Sequence, residues 1–261
     1  MRRQAKYFAW RLNRPLHQFS TSLSVDAMYG HRAGVRENGL VRYVGWAVPE
    51  TVYFDYGILE AAPPHINRAG IGDVFCFFTG AWDWEYAHKE GRTEPRWPFD
   101  PKLAAISLAK AEAALIDWQE IRDLSPQGIR MLVDAFKWGG ASYQGAGWCP
   151  RHIEGVEHYI FYALEARTGR KFLHGQAVCL GIVAGAMMHD RRFAELARTI
   201  NDIGVDWRPA AMGITWSDVE TAIAGLADFV RVQGLPFGIA NDFRPDNAYF
   251  ARLRQLAEGQ D

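Results

Sequence analysis

Apolar positions in residues 5–12 recur with the i, i+3, i+4, i+7 spacing of a helix, at Ala5, Phe8, Ala9 and Leu12. Beyond Pro15 the pattern changes. Short runs rich in β-branched and aromatic residues, Leu16 to Ser20, Val41 to Val48 and Thr51 to Asp55, are punctuated by Gly30, Gly34 and Pro49 and predict strands. From Pro63 onward the period is helical almost everywhere. Helices are expected over Pro101 to Trp118, from Pro126 (capped by Ser125) to near Gly139, and over Ile153 to Thr168 and His174 to Met188. Three more are expected near Arg192 to Asn201, Ser217 to Val232 and Asp246 to Glu258, and Gly139 to Pro150 reads as a glycine-rich loop. The predicted architecture is a small α/β piece, residues 1–60, followed by an all-α domain of seven or more helices, residues 61–261.

A chain of 261 residues that is 49% hydrophobic and 23% charged buries an ordinary core. The 29 basic and 30 acidic residues nearly cancel, so no general attraction to nucleic acid or to an anionic membrane is expected. The longest apolar stretch, Ala177 to Met188, is shorter than the roughly 18 residues of a membrane span. Cys76, Cys149 and Cys179 are odd in number and far apart, which suggests neither a disulfide framework nor a cysteine zinc site and fits a reducing cytoplasm. The early arginines and lysines resemble a targeting segment, but the apolar spacing among them is that of a packed helix. These readings direct attention to a small-molecule site.

Gly70-Ile71-Gly72-Asp73 opens a helix that runs on into Val74-Phe75-Cys76-Phe77-Phe78. A carboxylate there either caps the helix or serves as a ligand, and burying it without partners is costly. His158 lies on a helix whose apolar stripe comprises Ile153, Val156, Ile160, Ala163 and Leu164. At ~100° per residue it falls about 140° from the centre of that stripe, beside Phe161, Tyr162 and Glu165. It is either a satisfied polar residue or a ligand. His174 follows a tight turn and starts a helix in which Ala177, Gly181 and Gly185 recur every fourth residue. Such a ridge of small residues lets another helix approach closely, bringing His174 toward the preceding helix. Two histidines on successive helices and a carboxylate opening a third can make a three-ligand metal site with open coordination.

The segments GIGDVFCFFTGAWDWEYAH and EGVEHYIFYALEARTGRKFLHGQAV resemble the metal-site segments of the superfamily of iron-containing alcohol dehydrogenases, glycerol-1-phosphate dehydrogenases and dehydroquinate synthases. The resemblance runs from residue 1 to about 190. It implies that Asp73, His158 and His174 bind one divalent ion, Zn or Fe. Phe19 to Ala27 resembles the family's Val-Pro-Thr-x-x-Ser-x-Asp segment, with Ser20 where proline is usual, so Thr21 and Ser24 would touch NAD or NADP and Asp26 would lie near the substrate. Tyr162 stands where many members have a second histidine; this argues against cyclase chemistry and offers a proton relay. Gln176, where glutamate is common, would make a neutral contact around the metal.

The implied fold is the helical metal-binding domain of the dehydroquinate synthase-like fold with a partial Rossmann-like N-terminal part. The implied activity is NAD(P)-linked, metal-dependent oxidation of a polyol or polyol phosphate. The alternatives are a sugar-phosphate cyclase, or a non-catalytic metal-binding subunit. Ala5-Lys6-Tyr7 resembles the end of the family's Asp-x-Ala-Lys-Tyr, downstream of the glycine-rich pyrophosphate loop. Little NAD(P) affinity is therefore expected of residues 1–261 alone. The stripe of Ala5, Phe8, Ala9 and Leu12 is expected to meet a partner chain supplying the nucleotide-binding half, or another copy in a homo-oligomer.

Overall fold

The computed structural model describes the backbone of residues 2–37 and 40–259, and side chains within 5–35 and 42–259. Helix α1 (Arg2–Arg11) precedes β1 (His17–Ser20), a 3-10 turn (Asp26–Met28), β2 (Ala33–Glu37), β3 (Leu40–Val44) and β4 (Thr51–Phe54). Helices α2 (Tyr56–Ala61), α3 (Pro64–Arg68), α4 (Gly72–Lys89), α5 (Pro101–Ile116), α6 (Trp118–Asp123) and α7 (Pro126–Gly145) follow. Next come α8 (Val156–Thr168), α9 (His174–Met188), α10 (Phe193–Ile203), α11 (Trp216–Ala224), α12 (Leu226–Gln233), α13 (Ile239–Asp242) and α14 (Asn247–Ala257). A partial α/β part thus leads into a helical domain, as the sequence pattern predicts.

β1 and β4 pair in parallel, Phe19 opposite Tyr53, whereas β2 and β3 form an antiparallel hairpin. The sequence pattern missed β2, because Ala33-Gly34-Val35-Arg36-Glu37 has little β propensity and is held by pairing with β3. Ser125 caps α7 as expected, accepting from Gly128 N–H at 3.0 Å. The helix does not stop near Gly139, however, but runs to Gly145. Gly139 and Gly140 are buried where the turn at 26–30 packs against α7, and a Cβ on Gly139 would stand 2.7 Å from Asp26 Oδ2. They serve close approach rather than termination. The single helix expected over Ser217 to Val232 is broken at Gly225 into α11 and α12.

In α1 the expected stripe is only partly confirmed. Ala9 packs with Leu16 and Ala47, while Ala5, Phe8 and Leu12 face outward. Among the described residues no helix is long and apolar enough to cross a membrane. The three cysteines are buried and unpaired.

The core is centred on α4, α8 and α9, nearly every residue of which is buried through Trp84, Glu165 and Ala186 respectively. Behind it, a buried polar network ties the chain at 237–239 to α4. Asp83 Oδ1 accepts from Ile239 N–H (3.0 Å) and lies 2.9 Å from His189 Nε2. The fully buried Arg151 donates to Phe237 O (2.6 Å), and Glu94 accepts from Phe237 N–H (3.0 Å). These contacts, with the 3.6 Å approach of Arg151 Nε to Glu94 Oε2, offset part of the cost of burying the charges, although Asp83 Oδ2, Glu94 Oε2 and Arg151 Nε have no hydrogen-bond partner among the described residues.

His152 is fully buried against Trp84 and Trp138, with Nε2 2.8 Å from Ser142 Oγ. Burial pulls its pKa down to about 4, against roughly 6.5 in the unfolded chain. Below pH 6.5 the unfolded chain takes up a proton that the folded one refuses. The stability His152 contributes is therefore complete above that pH and lost as pH falls toward 4. The gap corresponds to about 3 kcal/mol. Urea titrations from pH 7 to 4 are expected to show this slope in the native protein and a shallower one in His152→Gln; equal slopes would refute the assignment.

Candidate metal centre

Three glycine contacts bring the three predicted ligands together. A Cβ on Gly175 would overlap the carbonyl oxygen of Ala69, and one on Gly72 would overlap the carbonyl oxygen of Gly175. The N-terminal ends of α4 and α9 therefore touch backbone to backbone beside Asp73 and His174. Further along α9, Gly181 lies against the Glu157 carbonyl of α8, next to His158. The small-residue ridge does place His174 near the preceding helix. The rings of His158 and His174 lie 5.3 Å apart.

Asp73 and His158 are buried and His174 nearly so. One donor atom from each of Asp73, His158 and His174 lies within 4.8 Å of the others. A divalent ion with bonds of roughly 2 Å closes that spread with small side-chain movements. Asp73 does not cap its helix; the cap position is Ile71. Its Oδ2 accepts from Asp26 N–H at 2.8 Å. Its Oδ1 lies 2.9 Å from His174 Nε2, misaligned for hydrogen bonding, and is buried without a hydrogen-bond partner among the described residues. An orphaned oxygen facing a histidine nitrogen is what a shared cation would satisfy. The donor set fits a divalent metal.

His158 Nδ1 lies 2.8 Å from Glu157 Oε1, which also accepts from Gly155 N–H at 2.7 Å. This leaves Nε2 free to serve as a ligand, with the ring oriented by a carboxylate on its other side. Burial would lower the pKa of His158, but Glu154, Glu157 and Asp73 raise it to about 9. For Asp73, burial acts upward, yet His174 and His158 hold it below the ordinary carboxylate value. Burial and the Asp73 charge push Asp26 up.

Cys76 Sγ, Glu157 and His158 form a second group of converging donors, which the sequence did not suggest. It shares His158 with the first. Burial also drives the Cys76 thiol pKa well above its usual value. One ion per chain is still the expected stoichiometry.

Asp26 and Tyr162 line a cavity of about 630 Å³ together with Asp73, His158 and His174. Thr21 is exposed and Ser24 half-buried, and neither lines that cavity. Tyr162 O–H donates to Glu154 Oε1 at 2.8 Å, and burial with the Glu154 charge keeps its pKa far above the ordinary phenol value. Gln176 turns away from the centre and donates to Asp206 O at 2.6 Å. The carboxylates around the site are instead Glu154 and Glu157, which sequence reasoning missed. The one signal was a pair of acids at the start of that segment, Glu154 just before the cap Gly155 and Glu157 in the first turn of α8 beside His158.

No family model matches the sequence. It is 28% identical over 210 residues to a glycerol-1-phosphate dehydrogenase (NAD(P)+) of Pyrococcus furiosus, covering 80% of this chain and 59% of that protein. A namesake from Thermoplasma acidophilum is also 28% identical, covering 80% and 58%. The chain thus spans less than two thirds of the length of these relatives. Among solved structures, a probable glycerol dehydrogenase from Sinorhizobium meliloti 1021 superposes with a TM-score of 0.71 at 19% identity, covering 98% of this chain and 74% of that one. An iron-containing alcohol dehydrogenase from Corynebacterium glutamicum gives 0.64 at 17% identity, covering 99% and 70%.

Proposed function

We propose that this homologue of the glycerol-1-phosphate dehydrogenases is the metal-binding part of an NAD(P)-linked dehydrogenase that interconverts a hydroxyl and a carbonyl on a polyol or polyol phosphate. The observation that carries the reading is the convergence of Asp73, His158 and His174 on one cavity, with an orphaned Asp73 oxygen facing His174. A Zn or Fe ion held there would act as a Lewis acid on a substrate oxygen.

The surrounding residues have distinct tasks in this reading. Glu157 fixes the His158 ring, and Asp26 positions Asp73 through its backbone N–H. Tyr162, protonated and hydrogen-bonded to Glu154 in the cavity wall, is the proton relay for the substrate hydroxyl. Thr21 and Ser24 lie beyond the C-terminal end of β1, the side on which parallel sheets receive nucleotides, and would contact NAD(P) there. The exposed Phe8 of α1 and Leu12 just beyond it would pack against the nucleotide-binding half or a second copy.

The test is elemental analysis after chelator-free purification, followed by absorbance of the reduced nicotinamide with polyols and polyol phosphates. About one Zn or Fe per chain is expected, with net NAD(P)H formed when the nucleotide-binding half is present. Tyr162→Phe is expected to keep the metal and slow turnover about 10²-fold or more. Absence of bound metal would overturn the proposal; unchanged turnover in Tyr162→Phe would remove the relay from it.

A further inference from the structure

Of Ala5-Lys6-Tyr7 in α1, only Lys6 points inward. It is 4% exposed despite its charge, whereas Ala5 and Tyr7 on either side face outward. A buried ammonium persists only where acceptors replace its water. Its Nζ donates to the carbonyl oxygens of Ala27 and Gly30. These two acceptors belong to the short stretch, residues 26–30, that carries Asp26.

That stretch has little to hold it from within. It is a single 3-10 turn whose N-cap, Val25, makes no side-chain hydrogen bond, and Tyr29 N–H closes it on Asp26 O at 2.9 Å. One such turn gains little from cooperativity. Gln18 of β1 adds a support from outside, donating to Met28 O at 2.6 Å. On the opposite side lies α7, where a Cβ on Gly140 would stand 2.5 Å from Tyr29 Cβ. The turn is thus pinned between α1 and α7.

What the turn delivers is the Asp26 N–H, which donates to Asp73 Oδ2 at 2.8 Å. With Oδ2 held there, Oδ1 faces His174 Nε2 at 2.9 Å. Lys6, the Ala27 carbonyl, the Asp26 amide and the Asp73 carboxylate therefore form one connected line from α1 to a ligand. Lys6 also lines the cavity shared by Asp73, His158 and His174. The helix has a separate seat, Ala9 against Leu16 and Ala47, so α1 does not depend on Lys6 to stay in place.

Resting on the proposed metal centre, we infer that Lys6 is a positioning residue of that centre: from α1 it clamps the turn at 26–30, and the clamped turn aims the Asp73 carboxylate at the ion. Without the clamp the turn can shift, and Asp73 loses its fixed direction toward His174. An outer partner of a ligand is worth about 10–100-fold in metal affinity. Lys6 acts one step further out, so the lower end of that range is expected.

The experiment takes the full 261-residue chain, stripped of metal, and titrates it with Co²⁺. Competition with a chromophoric chelator gives the affinity, and the visible absorption of the bound ion reports the arrangement of its ligands. Lys6→Met is expected to weaken Co²⁺ binding about tenfold and to alter the visible spectrum. Lys6→Gln, which keeps a donor for one carbonyl, should show a smaller change in the same direction and stands in if Lys6→Met does not fold. Leu253→Ala, a truncation in the buried core of α14, should lower thermal stability while leaving affinity and spectrum as in the parent. Parent-like Co²⁺ binding and spectrum in the Lys6 variants, or the same response in Leu253→Ala, would overturn the inference. No binding by the parent, or binding that survives Asp73→Ala, defeats the metal centre itself; binding that needs Asp73 but is indifferent to Lys6 defeats this inference alone.

Discussion

Gly175→Ala is expected to abolish metal binding and destabilise the fold. The added methyl would overlap the backbone carbonyl of Ala69, which cannot rotate aside as a side chain would. Gly72 of α4 blocks retreat, since it already touches the Gly175 backbone. Relief requires the start of α9 to withdraw from α4, widening the 2.9 Å approach of His174 Nε2 to Asp73 Oδ1. Overpacking of this kind costs about 1–3 kcal/mol and sometimes more, and a ligand set tolerates little displacement. Metal content and thermal unfolding should both fall. In Gly145→Ala, where nothing lies within 4 Å of the new atom, both should match the parent protein. Full metal occupancy in Gly175→Ala would contradict the account of how the ligands are assembled.

Asp73→Ala is expected to have the largest effect on metal affinity of any side-chain truncation, with His174→Ala close behind. Asp73 supplies the sole carboxylate of the three-ligand set and neutralises part of the charge of a divalent ion. Glu157→Gln provides the calibration. It keeps the shape of the side chain but weakens the grip on His158 Nδ1, and loss of such an outer partner costs about 10–100-fold in metal affinity. Asp73→Ala should exceed that range. Competition with a chromophoric chelator gives both values. Parent-like metal content in the Asp73 and His174 variants would show that the ion, if bound, sits elsewhere.

Much of the architecture was legible because burial imposes a period. The apolar spacing located α5, α8, α9 and α14 to within a few residues, and the cap at Ser125 is the expected one. Local rules failed where distant contacts decide. Gly139 and Gly140 looked like a helix end but lie inside α7, because the turn carrying Asp26 packs against them. Asp73, His158 and His174 were found through their motifs and through the glycine ridge. Glu154 and Glu157 look on a helical wheel like ordinary acids in a first turn; only packing against Tyr162 and His158 distinguishes them.

The anchoring of residues 237–239 to Asp83, Arg151 and Glu94 holds one rim of the cavity in place. Leu235 and Pro236 form part of its rim and stand immediately before that anchor, so swinging them outward means breaking buried charged contacts together. The opposite rim, carried by the β2–β3 hairpin, is fastened across the mouth by the exposed pair Arg42 and Gln233. That pair can part and re-form at little cost, so the position of the hairpin rests instead on the packing of β2 against α1 and of β3 against α8.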